Sequence, residues 1–274
     1  MKLTEPQFIS SLNVPYRKDG GRLYFIDGET QKAFDKKAAA DVNAFKRAVK
    51  QYPALYEFLW KVISPGVSCI RRLLPAKALR QLFTEKELTE KLIVNIGSGI
   101  KVVHPEVINL DIYPLPHVEL VADVARLPFR DECVDMVICE SVLEHVARPE
   151  RVISEITRVL KQRGYIYVSV PFVYPFHASP NDYFRWSGNG IRESFNGFDE
   201  IQSGMRAGPM AALQGVLMHL FAIPLSLGNG KFYIFWNNLF MVIFAPLKIL
   251  DFLFSAFPHA SDIAADVYFL GRKK

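Results

Sequence analysis

The stretch from Leu92 to His145 constrains the fold more than any other part of the sequence. It contains short apolar runs, LIVNI, VINL, VELVA and VDMVIC, and each ends in a glycine loop or an acidic residue. Such runs are typical of parallel strands that helices cover on both faces. The carboxyl ends of these strands line the crevice where ligands bind. These ends, at Asn95 to Gly99, Asp111, Asp123 and Glu140, therefore predict one ligand site along one edge of a sheet.

The rest of the core continues the alternation of strands and helices. Helices are predicted at Pro149–Lys161 and Ser187–Phe195, and further strands at Tyr165–Val170, Glu200–Met205 and Asp266–Leu270. This alternation predicts an α/β fold with a doubly wound, Rossmann-like sheet. Only about seven residues separate the glycine loop from the second strand, which is short for a parallel crossover, so the first helix is predicted to be a stub.

The segment before the core predicts two small units. Residues 1–36 form a small β module, because Asp19-Gly20-Gly21 is a hairpin signal beside the alternating run Arg22 to Ile26. Residues 37–90 form a helical cap, with amphipathic patterns over Ala38–Lys61, broken at Pro53, and over Val67–Phe83. The core is assigned to residues 91–207 and 263–274. A cap that closes over the ligand and a purely structural cap both fit this pattern.

The segment 208–262 is an unusually apolar helical insertion before the last strand. Pro209 to Gly230 and Phe232 to Leu247 contain no Lys, Arg, Asp or Glu, which approaches the composition of a membrane helix. Because strands of one sheet flank it, a single crossing is excluded. A re-entrant or interfacial pair, a lid over a greasy substrate, and a buried cap or dimer contact remain as alternatives. Lys231 and Lys248 are expected to snorkel to lipid head groups, with Tyr233 and Trp236 at the interface.

Charge and cysteine content exclude several classes of protein. The net charge is +5 without a long Lys/Arg block, which suits an anionic membrane surface or a solvated face and does not demand nucleic acid. Cys69, Cys133 and Cys139 lack the spacing of a disulfide framework or a zinc site, so no metal is predicted. The N-terminus lacks the apolar core of a secretory signal, which predicts a cytoplasmic protein, peripheral or re-entrant at the membrane.

The polar strand ends match the needs of S-adenosylmethionine as a cofactor. Its amino-acid end requires close backbone approach, which Gly97 and Gly99 permit. Its ribose diol requires a carboxylate acceptor, which Asp111 supplies, and its adenine amino group requires a further acceptor at Asp123. Each acid also has a structural interpretation, since Asp111 can merely end a strand and Asp123 can cap a turn.

The ordered set of GxG, Asp111, Asp123 before LPF, and Leu143-Glu144-His145 resembles the class I S-adenosylmethionine-dependent methyltransferases, in particular the type 11 group. The resemblance implies a seven-stranded sheet with a reversed last strand. It also implies cofactor contacts at Asn95, Gly97, Ser98, Gly99, Asp111, Ile112, Asp123, Val124 and Glu140. Asn95 departs from the pattern, since this position more often carries an acid. Glu140 can equally pair with a basic neighbour.

Acceptor chemistry is assigned to the loop after the fifth core strand. A hydroxyl acceptor needs a base, and the catalytic candidates are His145, His177, Asp182 and Tyr183, although His145 can also simply hold the loop. The predicted function is methyl transfer to a small, lipidic or membrane-presented acceptor, including a lipid-linked glycan. The oligomeric state is left open.

Two other functions compete with this prediction. A nicotinamide-dependent oxidoreductase would need a third glycine near position 102 and a strand-end acid about twenty residues on, whereas this chain has Val102 and an acid, Asp111, only twelve residues past Gly99. A non-catalytic, membrane-associated protein that retains the methyltransferase fold stays open as the alternative.

Overall fold

The computed structural model describes residues 10–26, 62–65, 73–177 and 181–274. The predicted helical segment over 38–61 lies outside these ranges, as does a second predicted turn, at Asp27-Gly28. The strands are β1 (Arg17–Asp19), β2 (Arg22–Tyr24), β3 (Ile93–Ile96), β4 (Ile108–Asp111), β5 (Leu120–Val121), β6 (Val134–Glu140), β7 (Leu160–Pro171), β8 (Phe198–Ala207) and β9 (Asp266–Lys273). The α-helices are α1 (Pro75–Leu82), α2 (Glu85–Glu90), α3 (Pro149–Val159), α4 (Gly188–Ser194), α5 (Pro209–Leu225), α6 (Gly230–Phe244) and α7 (Asp251–Phe254).

The described strands form one sheet in the order β1-β2-β5-β4-β3-β6-β7-β9-β8. Strands β5, β4, β3, β6 and β7 run parallel to one another. Strand β9 is antiparallel to both β7 and β8. The α/β class and the antiparallel last strand are confirmed, and the predicted count of seven strands is too low. The sheet has nine strands because the N-terminal hairpin joins it, with Leu23 and Tyr24 pairing in parallel with Leu120 and Val121.

The first crossover differs from the prediction, because no helix forms between Ile96 and Ile108. The predicted stub helix is therefore wrong at this point, and the chain makes only turns. Helices α1 and α2 cover that face of the sheet, where Leu79 and Leu88 pack in one buried cluster with Ile93 and Ile138. Burial of these apolar side chains replaces the cover that the missing helix would supply. The described part of the cap thus packs on a face of the sheet.

Helix α3 ends at Val159, earlier than the predicted end at Lys161. Leu160 already pairs with Val134 of β6, and the Lys161 ammonium group lies 2.9 Å from Asp135 Oδ1. Strand pairing therefore begins before Gly164, and β7 is longer than the sequence pattern predicts.

The apolar insertion is a helical hairpin that leaves and rejoins the sheet at one place. Helix α5 begins at Pro209, directly after β8, and the Ala265 N–H donates to the Gly208 carbonyl oxygen over 3.3 Å just before β9. Strand β9 starts opposite Pro171, the last residue of β7. The hairpin therefore rises from the carboxyl edge of the parallel strands, the edge that carries Asp111 and Glu140.

Candidate active site

The glycine loop after β3 has two residues in the left-handed region. Gly97 has φ +61°, and a Cβ there would lie 2.4 Å from Cγ2 of Val142, so the loop packs tightly against the chain after β6. Gly99 has φ +58°, and nothing in the described structure lies within 4 Å of where its Cβ would be. Positive φ at both positions favours glycine. The open space over Gly99 fits close approach of a ligand to the backbone.

Asp111 ends β4 and holds the glycine loop. One carboxylate oxygen accepts from the Gly99 N–H over 2.8 Å, and the other accepts from the Tyr113 N–H over 3.0 Å. Burial raises the pKa of Asp111, although the backbone hydrogen bonds oppose this effect. A carboxylate oxygen can accept more than one hydrogen bond, so both oxygens remain able to accept ribose hydroxyls.

Asn95 and Asp123 have partners within the protein. The Asn95 amide donates to Asn109 Oδ1 on the neighbouring strand over 3.1 Å. Asp123 is exposed, and its Oδ1 accepts from the Ala125 N–H over 2.9 Å, which caps the turn. Ser98 is buried, and Ile112 and Val124 are half-buried beside these residues. The carboxylate of Asp123 keeps a second oxygen free of this turn.

Glu140, at the end of β6, is part of a buried charge network. Arg206 lies 2.9 Å from Glu140 and 3.0 Å from Asp266, and Lys101 of the glycine loop lies 3.5 Å from Glu140. Burial alone would raise the pKa of Glu140, but the charges of Lys101 and Arg206 lower it to about 2. Burial raises the pKa of Asp266 to about 6 against the opposing charge of Arg206. The sequence left two roles open for Glu140, a cofactor contact and a pair with a basic neighbour. The structure shows that Glu140 pairs with basic neighbours.

The Leu143–His145 turn, a short 3-10 helix, is tied to the loop after β7. His145 Nδ1 lies 2.5 Å from the Asn181 carbonyl oxygen, and the Tyr183 N–H donates to the Glu144 carbonyl oxygen over 2.7 Å. The rings of His145 and His177 meet edge to face with centroids 5.0 Å apart. The structure thus brings together the predicted residues His145 and His177.

The other two predicted catalytic residues differ in their surroundings. Asp182 accepts hydrogen bonds from Arg185, and these lower its pKa to about 2 although burial opposes them. It also accepts from the His177 N–H over 2.8 Å. A carboxylate held in this way is a weak base and serves to orient His177. Tyr183 is 49% exposed, and its side chain packs beside Phe184.

Several residues of this edge escaped the sequence prediction. Arg206 and Asp266 lie on β8 and β9, far along the chain from Glu140, and no local spacing connects them. Lys101 follows the glycine loop without a motif of its own. Glu144 lies within the quoted LEH motif but was given no role there, and its side chain is 0% exposed.

Comparison with known proteins finds a family model that matches part of the chain. Residues 103–168, from the approach to β4 through most of β7, match the model of the type 11 methyltransferase domain. The matched segment contains Asp111, Asp123, Glu140 and His145. Residues 103–168 therefore belong to a type 11 methyltransferase domain. The chain is an S-adenosylmethionine-dependent methyltransferase, and the predicted family, activity and methyl donor are confirmed.

Several solved structures with a similar fold are methyltransferases of low sequence identity. The 1,6-didemethyltoxoflavin-N1-methyltransferase of Burkholderia thailandensis is 11% identical, with 96% of this chain and 94% of that chain covered and a TM-score of 0.47. The phosphoethanolamine N-methyltransferase 2 of Haemonchus contortus is 16% identical, with 85% and 60% covered and a TM-score of 0.46. No curated protein matches the sequence at a significant level. At such identities, neither structure identifies the acceptor of this methyltransferase.

Proposed function

We propose that this methyltransferase acts on a small acceptor that is lipidic or presented at a membrane surface, including a lipid-linked glycan. The observation that carries the proposal is the apolar hairpin of α5 and α6, which rises from the same edge of the sheet as the cofactor residues. The chain therefore presents a lipid-compatible surface beside the place where an acceptor must meet the methyl donor.

We further propose that Gly97 to Gly99 and Asp111 hold the methionine and ribose parts of the donor, with Asp123 as acceptor for the adenine. Asn95, Ile112, Val124 and Glu140 complete the set that the family resemblance implies, Glu140 by fixing the glycine loop through Lys101. When bound, the donor supplies a methyl group on a positively charged sulfur. The protein's contribution is to align this group with the acceptor and to exclude water. His145 and His177 lie on the acceptor side of this arrangement.

The helices of the hairpin leave much apolar surface in contact with solvent. The segment Gly230–Phe254 is long and apolar enough to cross a membrane, and only 17% of its most apolar window is buried. A core helix of a soluble protein would be mostly covered, so this segment is not a core helix. Large exposed side chains on the hairpin and the turns after it include Leu220, Ile223, Leu227, Phe235, Ile249, Phe252, Leu253 and Phe257. A continuous exposed apolar surface of this kind is typical of a membrane or protein interface.

Polar side chains in the hairpin point inward. The Tyr233 hydroxyl lies 2.5 Å from His219 Nδ1, and the Asn237 amide lies 3.1 Å from the same nitrogen. Lys248 is 2% exposed and donates to the Ser64 carbonyl oxygen over 2.7 Å, so the predicted snorkelling of Lys248 is wrong. Tyr233 is likewise engaged within the hairpin. Polar groups that bond to each other satisfy their own hydrogen bonds, as lipid contact requires. Lys231, at the start of α6, is exposed.

The hairpin also touches the acceptor loop. Val173 and Tyr174 lie just before His177. They pack against a buried cluster of alanines at the start of α5, formed by Ala207, Ala211, Ala212 and Ala265. A Cβ on Gly215 of α5 would lie 3.1 Å from Pro175 of the same loop. An acceptor held at the apolar surface would therefore lie close to the loop that carries His177.

Vesicle flotation of the full chain tests the membrane part of the proposal. We expect the protein to rise with vesicles of phosphatidylcholine and phosphatidylglycerol, because its exposed apolar side chains enter the interface. Replacing Phe235 and Phe252 together by Asp should leave the protein in the dense fraction. The matched control is Ile201→Asp, since Ile201 is 47% exposed on β8, away from the hairpin.

The acceptor is tested by incubating the protein with radiolabelled S-adenosylmethionine and a total lipid extract. We expect label in the organic phase, and less label with the Phe235/Phe252 variant than with the Ile201→Asp control. A soluble dimer that ignores vesicles and labels only water-soluble compounds would contradict the proposal and favour a dimer contact at this surface.

A further inference from the structure

We propose that Glu144, His145 and His177 bind one divalent first-row transition-metal ion. Glu144 is the first observation that points to this site. Its side chain is 0% exposed, and neither carboxylate oxygen has a hydrogen-bond partner among the described residues. An ionised carboxylate without partners is costly to bury, so this group demands an explanation.

Two imidazole nitrogens face the buried carboxylate. His177 Nε2 lies 3.7 Å and His145 Nε2 lies 3.8 Å from Glu144 Oε1. These separations are too long for hydrogen bonds. One oxygen and two nitrogens, all within 4.8 Å of one another, leave room for an ion at their centre.

The hydrogen bonds of His145 fix which of its ring nitrogens is free. Nδ1 lies 2.5 Å from the Asn181 carbonyl oxygen, which can only accept, so Nδ1 carries the proton. Nε2 of the neutral ring then has a lone pair, and it is this nitrogen that faces Glu144. Metal-binding histidines generally donate their other N–H to such an outer acceptor.

The surroundings of His177 lead to the same tautomer. Its Nδ1 lies 3.4 Å from Asp182 Oδ2 and also 3.4 Å from Arg185 Nη2. The two hydrogens of Nη2 are used by closer acceptors, the Pro175 carbonyl oxygen at 2.9 Å and Asp182 Oδ2 at 2.6 Å. The His177 proton therefore lies on Nδ1 toward Asp182, which leaves Nε2 free for the metal. Asp182 is a positioning residue in this arrangement.

The set of ligands defines the class of ion. Two imidazoles and one carboxylate bind Zn²⁺ in catalytic sites that keep an open position, and the same set binds other first-row ions such as Fe²⁺. Metal–ligand bonds of about 2.0–2.1 Å in tetrahedral geometry place ligand atoms about 3.3 Å apart. Small side-chain rotations bring the observed 3.7 and 3.8 Å to that separation.

The position of this metal site suggests a role, which rests on the proposed function. Glu144 and His145 follow β6 and His177 follows β7, at the carboxyl edge where the acceptor enters. A hydroxyl group of the acceptor, bound at the open coordination position of the metal, would lose its proton to water more readily, as metal-bound water does. Its oxygen then forms the new bond to the methyl carbon, while the carbon–sulfur electron pair returns to sulfur. The acceptor in this proposal therefore carries a hydroxyl group.

Metal binding is tested with ZnCl₂ and CoCl₂ on full-length protein freed of metal by a chelator. We expect one Zn²⁺ per chain by calorimetry and visible absorption bands from the Co²⁺ complex. Glu144→Gln and His177→Ala should each weaken Zn²⁺ binding at least about 100-fold, because each removes a direct ligand. The control is His259→Gln, a histidine with a 92% exposed side chain outside the site.

Thermal unfolding separates lost ligands from lost folding. Glu144→Gln should raise the melting temperature of the metal-free protein, since it removes an unpaired buried charge, and should abolish the further rise that Zn²⁺ causes in the wild type. Equal Zn²⁺ binding by wild type and Glu144→Gln, or no binding by the wild type, would overturn the proposal. S-adenosylhomocysteine binding is measured on the same samples, because its failure would count against the donor residues and leave the metal result standing.

Discussion

Asp111 is the residue on which the proposed donor site most depends. Its two oxygens already hold the backbone at Gly99 and Tyr113, and in the proposed site they also accept the ribose hydroxyls. Asp111→Asn keeps one acceptor and turns the other into a donor. We expect S-adenosylhomocysteine affinity to fall about 10- to 100-fold, the size of one or two hydrogen bonds to a charged group.

Titration calorimetry measures this change directly. The matched control is Asp131→Asn, an acid with a 75% exposed side chain that pairs with Arg158 away from the site. Unchanged affinity in Asp111→Asn, with the control also unchanged, would remove Asp111 from the ribose site.

Glu140 gives a pH-dependent contribution to stability. Its pKa is lowered from 4.5 to about 2 in the folded chain, so folding is stabilised when the carboxylate is ionised. This stabilisation is fully present above about pH 4.5 and is lost as the pH falls toward 2. Glu140→Gln should lower the free energy of unfolding at pH 7 by about 3 kcal/mol, because Arg206 loses one of its buried partners.

Urea unfolding at pH 7 and at pH 3.5 tests the sign. The difference between wild type and Glu140→Gln should be smaller at pH 3.5. Glu90→Gln, on the exposed side of α2, is expected to change neither value. A difference that grows on acidification would show that Glu140 does not have a lowered pKa.

At the scale of elements, the start of α5 depends on a side chain from α7. Asp251 is 1% exposed, and its carboxylate accepts from the N–H groups of Met210 over 2.8 Å and Ala211 over 3.2 Å. It thus acts as an N-cap supplied from the far end of the insertion. The hairpin is closed on itself at its base by this contact.

We expect Asp251→Ala to destabilise the hairpin by about 1–2 kcal/mol, the cost of a lost cap. Hydrogen exchange of the Met210 and Ala211 amides should become faster, while exchange in β6 stays slow. Asp262→Asn, in the exposed turn before β9, is the control. Equal protection of the two amides in Asp251→Ala and wild type would show that the cap is unimportant.

At the scale of the whole molecule, the sheet carries charge networks on its carboxyl edge and an apolar hairpin beside them. We expect the hairpin side to face lipid and the β1–β2 edge to face water. Brominated phosphatidylcholine should quench the fluorescence of Trp236, which lies within α6.

Single-tryptophan substitutions assign this quenching. Trp236→Phe should remove most of it, whereas Trp186→Phe, in the loop before α4, should retain it. Quenching that persists in Trp236→Phe would place the hairpin away from the lipid.

The sequence by itself determined where the core strands lie along the chain and carried the resemblance to the methyltransferases, because buried parallel strands and their polar ends are local patterns. Apolar runs ending at Asp111 and Glu140 need no knowledge of distant residues. The hairpin at Gly20-Gly21 and the apolar insertion are local signals of the same kind.

Only the tertiary structure decided which side chains meet across the chain. Arg206 joins Glu140 to Asp266, Lys248 turns inward to Ser64, and α1 and α2 take the place of the missing crossover helix. The carboxylate of Glu144, which has no hydrogen-bond partner among the described residues and lies near two imidazoles, was also invisible in sequence. Such contacts depend on how helices and loops pack against the finished sheet, and local spacing carries no information about that packing.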